Sequence, residues 1–412
     1  MRIYFLLVRI AALFGNQKAA KLVKGQKQAW RKIHEYEQTH PERRLEGCVW
    51  IHAASVGEFE QARPVIERLR KEQPWRPVLL TFFSPSGYEL RKDYDQADLV
   101  TYLPFATGRN AKRWIETVRP SMAIFVKYEF WPAYIRHLHK KQIPLYSISA
   151  VFNDKQYFFR WYGLKGRRML KKFTRLFVQD EHSAELLGKR GITQVSVTGD
   201  TRFDRVSEIA ANARKIEPIE QFVQGAAHVI VAGSTWPEDE KLLLRYINDH
   251  ADGGYGNQTK LILVPHEIDE AHMHHIFQAW QGRFVRLSTA DKQNVRHTNT
   301  LVVDQLGKLS SIYQYGHIAY IGGGFGEGIH NTLEAAVYGL PVVFGPNYQA
   351  FREAHGLIAA GAAKSVRSYE ELEQAITELE SNRDAAGMAA AKYVASHVGA
   401  TAKIYNALFN NK

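Results

Sequence analysis

Residues 317–346 read HIAYIGGGFGEGIHNTLEAAVYGLPVVFGP, and the order of residue types in this stretch decides the kind of fold the chain adopts. His317 to Ile321 has the composition of a buried strand, five glycines follow (Gly322, Gly323, Gly324, Gly326, Gly328), Asn331 to Tyr338 suits a helix, and Pro341 to Phe344 a second strand. A strand, glycine turn and helix in succession bring backbone N–H groups and the positive end of a helix dipole close to an anion, of which phosphate is the obvious case. Glu334, one turn into the helix, would meet ribose hydroxyls. The alternative is a glycine-rich loop that only turns the chain. The spacing GGGFGEG departs from the dinucleotide fingerprint G-x-G-x-x-G, and no acid follows at the distance that fingerprint needs, which argues against a Rossmann dehydrogenase.

Working outward, the same rhythm of strand and helix repeats in both directions. Upstream, CVWIHAASVGEFEQARPVIERL (48–69) predicts a buried strand over Val49–Ala53, a turn at Ser55–Gly57 and a helix from Phe59 to Arg70 with Ala62, Val65, Ile66 and Leu69 on one face. Glu58 then stands at a helix start behind a strand end. It is either a partner of the helix dipole or a chemical group at the edge where open α/β sheets bind ligands. The run from Met122 predicts a strand passing through Lys127 and Glu129 into a helix. A second βα series starts near His228, and DGGYGNQ (252–258) suits a surface loop. Such alternation predicts parallel, helix-covered sheets.

A chain of 412 residues exceeds one ordinary core, and 45% hydrophobic with 23% charged residues is globular composition. The expected segments are 1–30 (helical, membrane-associated), 31–206 (first Rossmann-like domain), 207–225 (linker), 226–390 (second Rossmann-like domain) and 391–412 (a helix packing back on the first domain). A lone cysteine, Cys48, excludes an internal disulfide and cysteine-based metal sites, and its place before a strand makes it a packing residue. His272, His274 and His275 lack a ligand set and are expected on a solvated helix face.

The net charge of +12 is unevenly spread: from Lys155 to Arg175 stand eight Lys or Arg and no acid, interleaved with Tyr157, Phe158, Phe159, Trp161 and Tyr162. Nucleic acid, an anionic lipid headgroup and plain solvation all suit such a face. With no nucleic-acid motif, the lipid reading is preferred, with Lys155, Arg160, Lys165, Arg167 and Arg168 as its contacts. The N-terminal MRIYFLLVRIAALFG falls short of the ~20 apolar residues that span a bilayer, offers no convincing signal cleavage site, and precedes Lys18, Lys21, Lys24 and Lys27. An apolar helix followed by a basic one suits an anchor lying in an anionic interface. The alternative is a helix packed on the protein's own core.

Six motifs in order, WIHAASVGE (50–58), KYEFWP (127–132), VTGDTRFD (197–204), AGSTWPEDE (232–240), LVPHE (263–267) and GGGFGEGIHNTLEAAVYGLPVVFGP (322–346), resemble those of the 3-deoxy-D-manno-octulosonic acid (Kdo) transferases over nearly the whole chain. The first and last together are the specific ones. The resemblance implies an α/β fold of GT-B type, two Rossmann-like βαβ domains facing across a cleft with an N-terminal membrane-associated helix. It implies inverting transfer of Kdo from CMP-Kdo to a lipid A precursor (lipid IVA) in lipopolysaccharide core biosynthesis, at the cytoplasmic face of the inner membrane. It also implies no metal, no cofactor beyond the donor substrate, and no nucleic acid as partner. Glu58 falls on the general base and Glu129 on a second functional carboxylate. The CMP-sugar site falls on Ser234, Thr235, Pro265, His266, Gly322, Gly323, Gly324, Asn331 and Glu334. At His266 relatives commonly carry arginine, and Glu327 puts an acid inside the glycine loop. The residue reading alone also fits a UDP-sugar enzyme, either glycosyltransferase or epimerase, or a non-catalytic sugar-nucleotide scaffold.

Overall fold

The computed structural model describes residues 2–250, 259–279, 284–291, 293–295 and 298–410; the loop expected at 252–258 lies outside them. Two compact units are formed, one of residues 1–205 with 398–412 and the other of residues 206–397.

The first unit holds seven strands: β1 (Val49–Ala53), β2 (Val78–Phe82), β3 (Leu99–Tyr102), β4 (Met122–Val126), β5 (Leu145–Ala150), β6 (Arg175–Val178) and β7 (Val195–Val197). They pair in parallel in the order β3-β2-β1-β4-β5-β6-β7. The chain builds outward from β1 to β3 and then returns to the other side of β1, so strand order reverses between β1 and β4. Loops leaving the carboxyl ends of those two strands part there and open a crevice. Helices on both faces exclude water from the central strands, which is why β1 and β4 are buried at every position. Trp50 anchors this core among Trp114, Phe125 and Tyr134, with ring centroids 5.3–5.8 Å apart, and its indole N–H donates to Thr81 Oγ1 at 2.9 Å. Cys48 is fully buried, and burial pushes its thiol far above the ordinary value, as suits packing.

The second unit repeats the plan with β8 (His228–Thr235), β9 (Thr259–Pro265), β10 (Phe284–Arg286), β11 (Thr300–Val302), β12 (Ile318–Ile321), β13 (Val342–Phe344) and β14 (Ala363–Ser365). The order is β10-β11-β9-β8-β12-β13-β14, again parallel, and the reversal lies between β8 and β12.

Two elements differ from expectation. Strand β4 ends at Val126; Lys127 takes a left-handed backbone (φ 52°), and Lys127–Trp131 forms a turn before the helix Pro132–Lys140, which Pro132 starts. The helix expected over Asn331–Tyr338 shrinks to Leu333–Ala336, the chain turning away at Gly339 (φ 73°). Residues 207–225 include the end of the helix Thr201–Ala211 and the helix Glu217–Val223, where Ile219 and Phe222 are buried.

The N-terminus forms the helices Arg2–Leu13 and Gln17–Thr39, so residue 30 lies within a continuous helix. Phe5 stacks on Phe105 at 4.4 Å and joins the core, while Leu7, Ile10, Leu13 and Phe14 of the same stretch are exposed. The packing of Phe5 follows the reading of a helix held on the protein's own core, while the other face of the stretch stays exposed. At the other end, Asp204 accepts hydrogen bonds from the amides of Gly399 (2.5 Å) and Thr401 (2.7 Å), starting the helix Ala400–Tyr405, whose Tyr405 hydroxyl accepts from Gln73 at 3.1 Å.

Gly25 lets the second helix sit against the buried Tyr102: a Cβ there would lie 2.4–2.8 Å from its ring. Gly25→Ala gains about 1 kcal/mol of helix propensity but forces a tight interface, which costs ~1–3 kcal/mol. We expect a net loss of about 1 kcal/mol in urea unfolding. A more stable variant would show that the contact relaxes freely.

Candidate active site

At the reversal point of the first sheet, β1 runs out at Ala53 and the helix Val56–Glu72 begins with Ser55 in extended conformation as its cap. Glu58 is the third residue of that helix. The Ser55 amide donates to Glu58 Oε2 at 3.1 Å, and the Ser55 hydroxyl is hydrogen-bonded to the same oxygen. This is the reciprocal capping geometry that helix starts favour. It leaves Glu58 half-buried, with Oε1 engaged by no hydrogen bond among the described residues. The dipole-partner reading of Glu58 is thus met through Oε2 alone.

Glu129 stands beyond β4, across the same reversal. Its Oε2 receives the Trp131 indole N–H at 2.5 Å and lies 3.2 Å from His52 Nε2. His52 is fully buried in β1, in register with Thr81 of β2 and Phe125 of β4. Its Nδ1 lies 3.0 Å from both the Thr81 carbonyl and hydroxyl oxygens. Thr81 Oγ1 already accepts from Trp50 and donates to the Ile51 carbonyl at 3.3 Å, so Nδ1 must donate. The same Trp131 N–H also reaches His52 Nε2 at 3.1 Å, so one indole donor serves both the imidazole nitrogen and the carboxylate. The Lys127–Trp131 turn thereby fastens Glu129 to the sheet. His52 and Trp131 were not singled out from the sequence; the one available signal is an imidazole inside an otherwise apolar, fully buried strand.

At the reversal point of the second sheet, the last-but-one residue of β8 is Ser234, a non-glycine residue with φ 55°. Its carbonyl oxygen would lie 2.2 Å from a Cβ on Gly322, so only glycine is admitted there. Gly323 follows at φ 89°. The amides of this turn are not all available to a ligand. Gly322 N–H goes to the Gly233 carbonyl at 2.9 Å and Gly323 N–H to Asp239 Oδ2 at 2.8 Å, whereas the Gly324 and Phe325 amides have no acceptor among the described residues. Of the three glycine amides expected to face a phosphate, two are thus taken up within the fold. The four-residue helix after the turn contributes little dipole.

The remaining residues of this edge fall into two groups. Thr235 is buried and its hydroxyl donates to Glu240 Oε1 at 2.9 Å, while Pro265, in register with Thr235, ends β9. The other carboxylate oxygen of Glu240 meets His272 Nε2 at 2.9 Å. His272 thus leaves the solvated face assigned to it, because a buried carboxylate needs a partner; His274 and His275 are exposed as foreseen. Asn331 Nδ2 donates to Glu334 Oε1 at 3.0 Å, and Glu327 is exposed. His266 is exposed and stacks on Trp236 (4.8 Å) beside His330 (4.6 Å), whose Nε2 accepts the Trp236 indole N–H at 3.3 Å. Burial first, and His266 second, hold the His330 imidazole down at about 4.

Elsewhere on the first unit, Lys155, Arg160, Lys165 and Arg168 are exposed beside Trp161, which is 90% exposed, and Tyr162. Arg167 is partly spent on the fold, donating to the carbonyls of Phe158 and Arg160 at 2.9 Å. Lys18, Lys21, Lys24 and Lys27 are exposed, and among the described residues no helix is long and apolar enough to cross a membrane.

Residues 27–205 match the family model for 3-deoxy-D-manno-octulosonic-acid transferase (kdotransferase). The chain is 29% identical over 336 residues to the 3-deoxy-D-manno-octulosonic acid transferase of Aquifex aeolicus, covering 81% of this chain and 86% of that one. It is 27% identical over 345 residues to that of Rickettsia felis, covering 80% and 71%. Among solved structures, the UDP-GlcNAc 2-epimerase of Neisseria meningitidis, bound to UDP-GlcNAc, aligns with a TM-score of 0.59 at 18% identity over 88% of this chain and 100% of that one. MurG of Acinetobacter baumannii aligns at 0.53 with 12% identity, over 88% and 99%. At such identities the structural likeness speaks for the fold alone, which is of GT-B type.

The His330 assignment is open to NMR. Its neutral form is favoured in the fold, so its stabilising contribution is complete above the ordinary histidine value of 6.5 and is lost as pH falls toward 4, where the unfolded chain binds a proton that the fold refuses. We expect its ring resonances to titrate near 4. A midpoint near 6.5 would contradict the burial.

Proposed function

We propose, for a chain that belongs to the Kdo transferase family and is a glycosyltransferase, that it transfers Kdo from CMP-Kdo to a sugar hydroxyl of a lipid A precursor, lipid IVA, with inversion and with Glu58 as general base. The observation that carries this reading is the carboxylate at the β1 reversal point, held through Oε2 with Oε1 unengaged. A base must be fixed in place yet keep a free lone pair for the proton it accepts. Glu58 Oε1 takes the acceptor hydroxyl proton as that oxygen attacks the anomeric carbon, and CMP departs. Glu129, fastened by His52 and Trp131, orients the acceptor or sets the field around Glu58.

Ser234, the unpaired amides of the glycine turn, and the Asn331–Glu334 pair hold the nucleotide, with His266 beside them. A CMP sugar carries one phosphate, which backbone amides can neutralise; the reading includes no metal and no further cofactor. Exposed Leu7, Ile10, Leu13 and Phe14, the lysines at 18, 21, 24 and 27, and the Lys155–Arg168 face suit an anionic membrane surface, the cytoplasmic face of the inner membrane, where the lipid acceptor would be met.

Glu58→Gln keeps shape and removes basicity. The variant should bind CMP within about twofold of the parent while transfer falls at least ~100-fold; near-normal turnover would remove Glu58 from the role of base. Deleting residues 1–14 should weaken flotation with anionic vesicles, and unchanged flotation would refute the anchor.

A further inference from the structure

The helix Pro237–Asp249 begins with three acids, Glu238, Asp239 and Glu240. Favourable interaction with the helix dipole would account for acids on an exposed first turn. It does not account for Asp239, whose side chain is fully buried at the reversal point of the second sheet. Three donors from three elements converge on it. Oδ2 accepts from the Trp236 amide at 3.0 Å and from the Gly323 amide at 2.8 Å, and Oδ1 accepts from the Tyr320 hydroxyl at 2.7 Å. Trp236 is the cap of the carboxylate's own helix, Tyr320 lies in β12, and Gly323 is the glycine with the left-handed backbone. A carboxylate with about four lone-pair sites can accept all three, and no neutral side chain of that length accepts from three donors at once.

We propose that Asp239 is a positioning residue for the donor phosphate, holding Gly323 in its left-handed conformation so that the next two amides, of Gly324 and Phe325, stand unpaired as a receptor for a phosphodiester anion. The inference rests on the reading of this edge as the nucleotide site and adds which amides do the binding and what holds them. Asp239 takes the Gly323 amide out of service, which confines the anion contact to the following pair. A Cβ at Gly323 would lie 2.5 Å from the Gly328 carbonyl, so the turn has no slack on its other side. Burial raises the Asp239 carboxyl above the ordinary value despite its three donors, consistent with a group kept for its hydrogen bonds and not for exposed charge.

Asp239→Asn separates geometry from charge. Its amide oxygen can accept from the Trp236 and Gly323 amides while its NH2 donates to the Tyr320 oxygen, whereas Asp239→Ala strands all three donors. In steady-state transfer from CMP-Kdo, the Ala variant should raise the donor KM about tenfold or more with the acceptor KM within about twofold, and the Asn variant should return the donor KM to within about threefold of the parent. A donor KM unchanged in the Ala variant, or an Asn variant as impaired as Ala, would overturn the proposal.

If the Ala variant does not fold, amide hydrogen exchange in the unmodified full chain decides. Gly323 should be protected without ligand, and Gly324 and Phe325 should exchange fast until CMP is added and slowly afterwards. CMP that binds without protecting Gly324 and Phe325 defeats this inference and leaves the nucleotide site standing. Failure of CMP to bind the unmodified chain defeats the site reading itself, and this inference with it.

Discussion

A strand inside a parallel sheet covered by helices has water on neither face, and every polar group there must find a partner within the protein. That constraint organises this molecule. It makes the strands apolar almost throughout, pushes chemistry to their carboxyl ends, and leaves a few buried polar side chains that hold a loop. His52 reaches from β1 to Glu129, and Asp239 gathers Trp236, Tyr320 and Gly323. Both act where strand order reverses, the one place in each sheet where neighbouring loops diverge enough to admit a ligand.

The two units solve the same problem with opposite chemistry. In the first, the reversal point carries carboxylates, Glu58 and Glu129, each tied through Oε2, suited to managing a proton and a hydroxyl. In the second it carries backbone amides and imidazoles, suited to an anion. A glycosyl transfer with one departing phosphate needs both kinds of group. At Glu58, capping occupies one carboxylate oxygen and leaves the other.

Much of this was legible in the sequence. Period and composition outlined the strands because buried parallel strands are near-continuous apolar runs, and Glu58 and the glycine turn stood out because helix starts and glycine clusters carry local signals. What was hidden depends on partners distant in sequence. Lys127 was expected in a strand, yet its amide bonds to Ile148 in a left-handed turn that no local propensity of lysine foretells. His52 is an unremarkable residue until the fold brings it to Thr81 and Glu129, 29 and 77 positions away. The glycine turn looked like a row of free amides because nothing local indicates that Asp239, 84 positions earlier, takes one of them. The short helix after it is followed by the left-handed Gly339, whose carbonyl packs so closely on Gly387 of the helix Arg383–His397 that a Cβ there would lie 2.4 Å from it.

The central claim, that this chain moves Kdo from a cytidylate donor to a lipid, is tested most directly by mass spectrometry. The purified full-length protein would be incubated with CMP-Kdo and a tetraacylated lipid A precursor, and the lipid and the free nucleotide followed together. The account predicts a lipid heavier by one or more Kdo residues, matched by an equal amount of CMP released. An unchanged lipid with CMP-Kdo, or turnover of a UDP sugar in its place, would contradict it.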